Sequence, residues 1–98
     1  MAHNMKDDRL DFLFEAILSL KDTEECYNFF DDLCTIAELQ EMSKRFFAAK
    51  LLSENFIYND ISERTGLSTA TISRVNRCLR YGSDGYAVIL ERLKNKNE

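Results

Sequence analysis

The sequence contains no proline and no tryptophan, and only three glycines and one histidine among 98 residues. An all-β domain needs many tight turns, and turns need residues that preset or invert φ, so this shortage leaves helices as the default. The one histidine, His3, stands close to the N-terminus and has no second candidate with which to form a Ser-His-Asp or Cys-His arrangement, so an enzyme is not expected. Long apolar runs are missing too. Phe46-Phe47-Ala48-Ala49 is typical, which excludes a spanning helix and a secretory segment and places the protein in the cytoplasm. Three cysteines, Cys26, Cys34 and Cys78, are an odd number without CxxC spacing. Neither a disulfide framework nor a zinc site follows, and no metal or other cofactor is required. Cys78 reads as a small packing residue.

What is present is the balance of a single globular domain, 45% hydrophobic and 31% charged over residues 1–98. The formal charge of −4 conceals a division along the chain. Met1 to Ser43 carries 11 acids against 3 bases, whereas Lys44 to Glu98 carries 10 bases against 6 acids. Between Glu63 and Asp84 every charge is positive: Arg64, Arg74, Arg77 and Arg80. An anionic partner would dock in this second half.

Apolar residues recur at helical spacing, and six helices are expected. The first, about Asp7 to Leu20, carries a stripe of Leu10, Leu13, Phe14, Ile17 and Leu18 with its acids facing water. Thr23 is placed to cap the second, whose stripe is Cys26, Phe29, Phe30 and Leu33. Thr35-Ile36-Ala37-Glu38 has the form of a capping box and opens the longest helix, running to about Ser53. Leu39, Met42, Phe46 and Ala49 line one face of it, while Phe47, Leu51 and Leu52 spread apolar surface around most of its circumference. A chain of this length has few neighbours to enclose such a helix, which favours a partner subunit. The division is residues 1–56 as a helical dimerisation core, 57–80 as a helix-turn-helix head and 83–94 as a C-terminal packing helix. Tyr81 to Tyr86 forms the loop before that last helix, and Lys94, Asn95 and Lys96 fray at its end.

Tyr58 to Leu79 meets the separate requirements of a helix-turn-helix. Gly66 provides the corner residue that tolerates positive φ. Ile61, Leu67, Ile72 and Val75 stand at the offsets that pack the two helices together, Ser62 is small enough for close approach, and Ser68 can cap the second helix at Thr71. With Ile72, Val75 and Leu79 turned inward, the opposite face presents Thr69, Ala70, Ser73, Arg74 and Arg77. Hydroxyls, those of Ser68 and Thr71 included, can contact phosphate or base edges, Ala70 can touch a thymine methyl, and arginine can bond bidentately to guanine. Arg80 and Arg64 lie toward the margins, where phosphate contact would fix register without reading sequence.

These residues carry a resemblance. Leu39 to Leu79, above all Gly66-Leu67-Ser68-Thr69-Ala70-Thr71-Ile72-Ser73-Arg74-Val75-Asn76-Arg77-Cys78-Leu79, resembles the Trp repressor superfamily and within it the YerC/YecD-like branch. The resemblance implies an all-α, six-helix Trp-repressor-like fold and an intertwined homodimer, whose two heads enter successive major grooves of double-stranded DNA. A near-palindromic operator with half-sites about one helical turn apart would follow. It also implies an effector site for L-tryptophan between an arginine of the third helix and one of the recognition helix. Arg74 matches the second, and the first falls on Arg45, or on Lys44 if no one-residue gap is opened. The tryptophan-binding member has glycine directly after the second arginine, where an indole needs room, whereas this chain has Val75. That departure counts against tryptophan and leaves constitutive binding or another small effector. Val75 is also explained by packing alone, and Arg45 by a solvated edge or a pairing with Glu41.

The function expected is a sequence-specific DNA-binding transcriptional regulator, a repressor acting by operator occupancy, with no membrane partner. Two alternatives stand beside it: an interaction module of the transcription machinery, suggested by the net negative charge, and a small-molecule-responsive repressor.

Overall fold

A computed structural model describes residues 7–96. The described chain is helical, with six α-helices: α1 (Asp8–Leu18), α2 (Thr23–Leu33), α3 (Ile36–Ser53), α4 (Tyr58–Thr65), α5 (Thr69–Tyr81) and α6 (Gly85–Lys96). His3 lies outside the described residues. By compactness the chain divides after Leu39 into two units.

Local capping explains where the first helices begin. The Asp7 carboxylate accepts from the Leu10 amide at 2.7 Å. Asp22, not Thr23, caps α2, accepting from the Glu25 amide at 2.8 Å while Glu25 accepts from the Lys21 amide at 2.9 Å. A carboxylate brings charge as well as an acceptor to the free N–H groups of a first turn, so Asp22 takes the cap and Thr23 becomes the first helical residue. At α3 the capping box forms as its sequence requires: the Thr35 amide donates to Glu38 at 2.8 Å, and the Glu38 amide donates to the Thr35 hydroxyl at 3.1 Å. The Thr35 amide, and after it the nearby Thr35 hydroxyl, hold the Glu38 carboxyl below its ordinary value, because donors at the carboxylate favour its charged form.

In the unit up to Leu39 the apolar stripes are formed but only half covered: Leu10, Leu13, Ile17, Phe29 and Phe30 are half-buried, and Phe14, Leu18 and Leu33 are exposed. No residue of α1 or α2 is buried. Phe12 is 73% exposed and Leu18 84%, while Phe29 and Phe30 meet edge to face at 5.4 Å.

The unit from Gln40 has a core. Ala48, Ala49, Leu51 and Leu52 of α3, Ile61 of α4, Leu67 of the turn, and Ile72 and Val75 of α5 form one buried cluster, with Phe56, Tyr58, Leu79, Tyr86 and Leu90 packed against it. Burial on α3 is confined to its C-terminal third, and Met42 and Phe47 stay exposed. That helix ends in a Schellman motif: Asn55 adopts φ 67°, its amide donates to the Leu52 carbonyl at 3.0 Å, and the Phe56 amide donates to Leu51 at 3.0 Å.

Three boundaries differ from their sequence expectations. Tyr81 is the last residue of α5 and Gly85 and Tyr86 are the first of α6, so the expected loop shrinks to Gly82, Ser83 and Asp84, and α6 continues to Lys96, so Lys94, Asn95 and Lys96 are helical. The turn between α5 and α6 is compressed around Gly82, whose amide donates to the Cys78 carbonyl at 3.0 Å. A Cβ on Gly82 would stand 2.4 Å from that same carbonyl oxygen, so only glycine fits there.

Candidate nucleic-acid interface

Helix α4, a short turn and α5 make the helix-turn-helix. Gly66 adopts φ 77° and its amide donates to the Ser62 carbonyl at 2.8 Å, ending α4 with a left-handed residue. The turn is then pinned by side chains. The Ser62 hydroxyl donates to the Leu67 carbonyl at 2.7 Å, and the Thr65 hydroxyl donates to the Ile61 carbonyl at 2.7 Å while accepting from the Leu67 amide at 3.1 Å. Thr65 is a buried polar residue that the sequence reading passed over, and its two bonds satisfy the hydroxyl without loss to the core. Ser68 caps α5: its oxygen accepts from the Thr71 amide at 3.2 Å and its hydroxyl lies 3.1 Å from that of Thr71.

At about 100° per residue, the buried positions of α5, Ile72 and Val75, leave an exposed arc over the other half of the helix. Thr69, Ala70, Ser73, Arg74 and Arg77 all lie on that arc and are exposed, with Arg77 near its middle. Thr71 is half-buried at the inner edge. No acid occurs on α5, and its first turn carries none to offset the positive end of the helix. The arc contains one residue that sequence reasoning did not assign, Tyr81, 83% exposed at the C-terminal end of the same face. Its signal was the continuation of the outward periodicity two residues beyond Leu79. Gly82 ends the helix only after Tyr81.

The two edges of the arc differ. On one, Arg74 and Cys78 border a recess of about 120 Å³, completed by Glu41 and Arg45 of α3, Thr71 and Val75 of α5, and Tyr86 of α6. Of the two α3 candidates Arg45 lines this recess and Lys44 does not. Cys78 is therefore an exposed wall residue rather than a packing residue; its thiol, like those of Cys26 and Cys34, is free. Tyr86 stacks at a tilt on Phe46 with ring centroids 6.1 Å apart. At the other edge the Arg80 guanidinium turns back on the protein, its Nε donating to Asn76 Oδ1 at 3.3 Å and its Nη2 to the Leu52 carbonyl at 3.4 Å. Arg64 stacks over the Phe56 ring at 4.7 Å. Among the described residues the one ion pair is Lys50–Glu54 at 2.9 Å, so Glu41 and Arg45 share the recess without pairing. No cluster of ligating side chains able to hold a metal occurs among the described residues, and none of their helices is long and apolar enough to cross a membrane.

Known proteins share this arrangement. Uncharacterized protein YerC of Bacillus subtilis (strain 168) is 56% identical over 90 residues, covering 92% of this chain and 86% of that protein. The crystal structure of a TrpR-like protein from Eubacterium eligens superposes with a TM-score of 0.89 at 57% identity, covering 92% of this chain and 93% of the other. A crystal structure from Staphylococcus aureus, described as a candidate Trp repressor, gives a TM-score of 0.88 at 49% identity, covering 92% and 90%. Residues 8–94 match the family described as Trp repressor protein. With the six helices in place and that match spanning nearly the whole chain, the protein belongs to the Trp repressor family, in its YerC-like branch.

Proposed function

We propose that the chain is a cytoplasmic, sequence-specific transcriptional regulator that represses by occupying an operator as a homodimer, with α5 in the major groove. The observation that carries this reading is the division of α5 itself: Ile72 and Val75 are buried, while Thr69, Ala70, Ser73, Arg74 and Arg77 are exposed on a helix without acids. Family membership supports DNA binding as its general activity. Replacing Arg77 with alanine is expected to cost about 1–3 kcal/mol on a duplex selected from a random pool and to relax preference at one base position. The test is the salt dependence of that binding, since DNA association releases counterions and must weaken steeply as salt rises. Salt-independent binding, or affinity for protein targets alone, would favour the interaction-module reading instead.

The homodimer is supported by the bare stripes of α1 and α2 and by Met42 and Phe47, which one chain leaves exposed. Two-fold pairing would place the heads on a near-palindromic site.

Regulation by tryptophan is not part of this reading. Val75 is the reason: it lines the recess beside Arg45 and Arg74 where the tryptophan-binding member of the resembled family has glycine. DNA binding without an added effector is the expected behaviour. A thermal screen in which L-tryptophan raises the unfolding midpoint would reverse it.

A further inference from the structure

The clearest unassigned feature of the head is the inward turn of Arg80. On α5 it occupies the edge of the exposed arc beside half-buried Asn76, away from the centre where Arg77 stands. Two of the donors of its fork are used inside the protein, Nε on Asn76 Oδ1 at 3.3 Å and Nη2 on the Leu52 carbonyl at 3.4 Å. Leu52 is 28 residues away in the chain and lies in the last turn of α3, where carbonyls run out of helical partners. Its oxygen already accepts from the Asn55 amide of the Schellman turn, and the guanidinium adds a second donor and a positive charge at the negative end of that helix. The next residues lead into α4. One side chain thus ties the C-terminal turn of α5 to the corner from which α4 departs.

We propose that Arg80 is a positioning residue of the DNA-reading head: it ties the end of α5 to the Leu52 carbonyl in the last turn of α3, so that Ser73 and Arg77 are held in a fixed register against base edges. This rests on the DNA-binding reading above and changes the role of Arg80 from a phosphate contact to a strut. A planar fork spans the two acceptors. An ammonium keeps the charge but is a single point and cannot bridge them.

The full-length chain, Arg80→Lys and Arg80→Met are compared in two measurements: amide hydrogen exchange without DNA, and equilibrium binding to a duplex selected by the unmodified chain and to a scrambled duplex over a series of salt concentrations. Both variants are expected to exchange the Asn55, Phe56 and Gly82 amides several-fold faster. Arg80→Lys is expected to lose about tenfold in the ratio of selected to scrambled affinity, with its scrambled affinity and salt slope unchanged. If Arg80→Lys keeps that ratio while Arg80→Met weakens both duplexes equally and flattens the slope by about one, Arg80 is a phosphate contact and the proposal is overturned. An equal loss on both duplexes in Arg80→Lys with a lowered melting midpoint is general destabilisation and overturns it as well. Unchanged exchange in both variants removes the strut whatever the duplexes show. A parent chain that binds no duplex while the variants still exchange faster overturns the DNA-binding reading, and the positioning role falls with it.

Discussion

The two units of this chain use the same amphipathic grammar and reach opposite results. In the unit from Gln40, residues of α3, α4, the turn and α5 form one buried cluster in which Ile61 and Ile72 are buried completely, with Tyr86 and Leu90 of α6 packed against it. In the unit up to Leu39, amphipathic stripes on α1 and α2 leave no residue of either helix buried. Periodicity therefore says that a face will be covered, and not by which chain. Burying a large apolar side chain is worth about 1.5–3 kcal/mol, so leaving Phe12, Phe14, Leu18 and Leu33 in water is a standing drive toward association.

The comparison can be broken at several points. Ile72→Ala removes a fully buried side chain from the closed unit and should cost about 2–5 kcal/mol in urea unfolding; a midpoint within error of the parent would mean that this core does not hold the head. Leu18→Ala touches nothing buried within one chain, yet should weaken self-association by about 1.5–3 kcal/mol for each copy, read by sedimentation equilibrium. Were its mass and concentration dependence to match the parent's, the bare stripe would not be an interface. Gly82→Ala forces a Cβ against the Cys78 carbonyl and should destabilise the head by about 1–3 kcal/mol in thermal melts, with self-association unaffected. The smallest effect is electrostatic. Because the folded Glu38 carboxyl titrates below its ordinary value of 4.5, the stabilisation it gives is complete above that value and is lost as pH falls through the lower folded one. Glu38→Gln should flatten that acid limb slightly, and an acid limb identical to the parent's would show that the capping box contributes no pH dependence.

Much of the head was legible in the sequence because its determinants are local. Gly66, Ser68 and the Thr35–Glu38 box act across two to four residues, and the inward positions Ile61, Leu67, Ile72 and Val75 follow from helical spacing and a corner. Where two neighbours could serve, the expectation fell on the wrong one: Thr23 was expected as the cap of α2, and the cap is Asp22, whose carboxylate accepts from the Glu25 amide. The interactions that escaped are those across long stretches of chain. Nothing in the spacing of Arg80 tells that its guanidinium reaches Leu52, or that Phe46 and Tyr86 meet beside the recess. Thr65 was unreadable for another reason, since a threonine at the end of a helix is ordinary and only its burial makes it a pin.

The turn at Gly82 bears on how such a head can vary. With the Cys78 carbonyl both accepting its amide and barring any side chain, position 82 admits glycine alone, and α5 stops at Tyr81. Variation of this surface is then a matter of exchanging side chains along a helix whose end is fixed at Gly82.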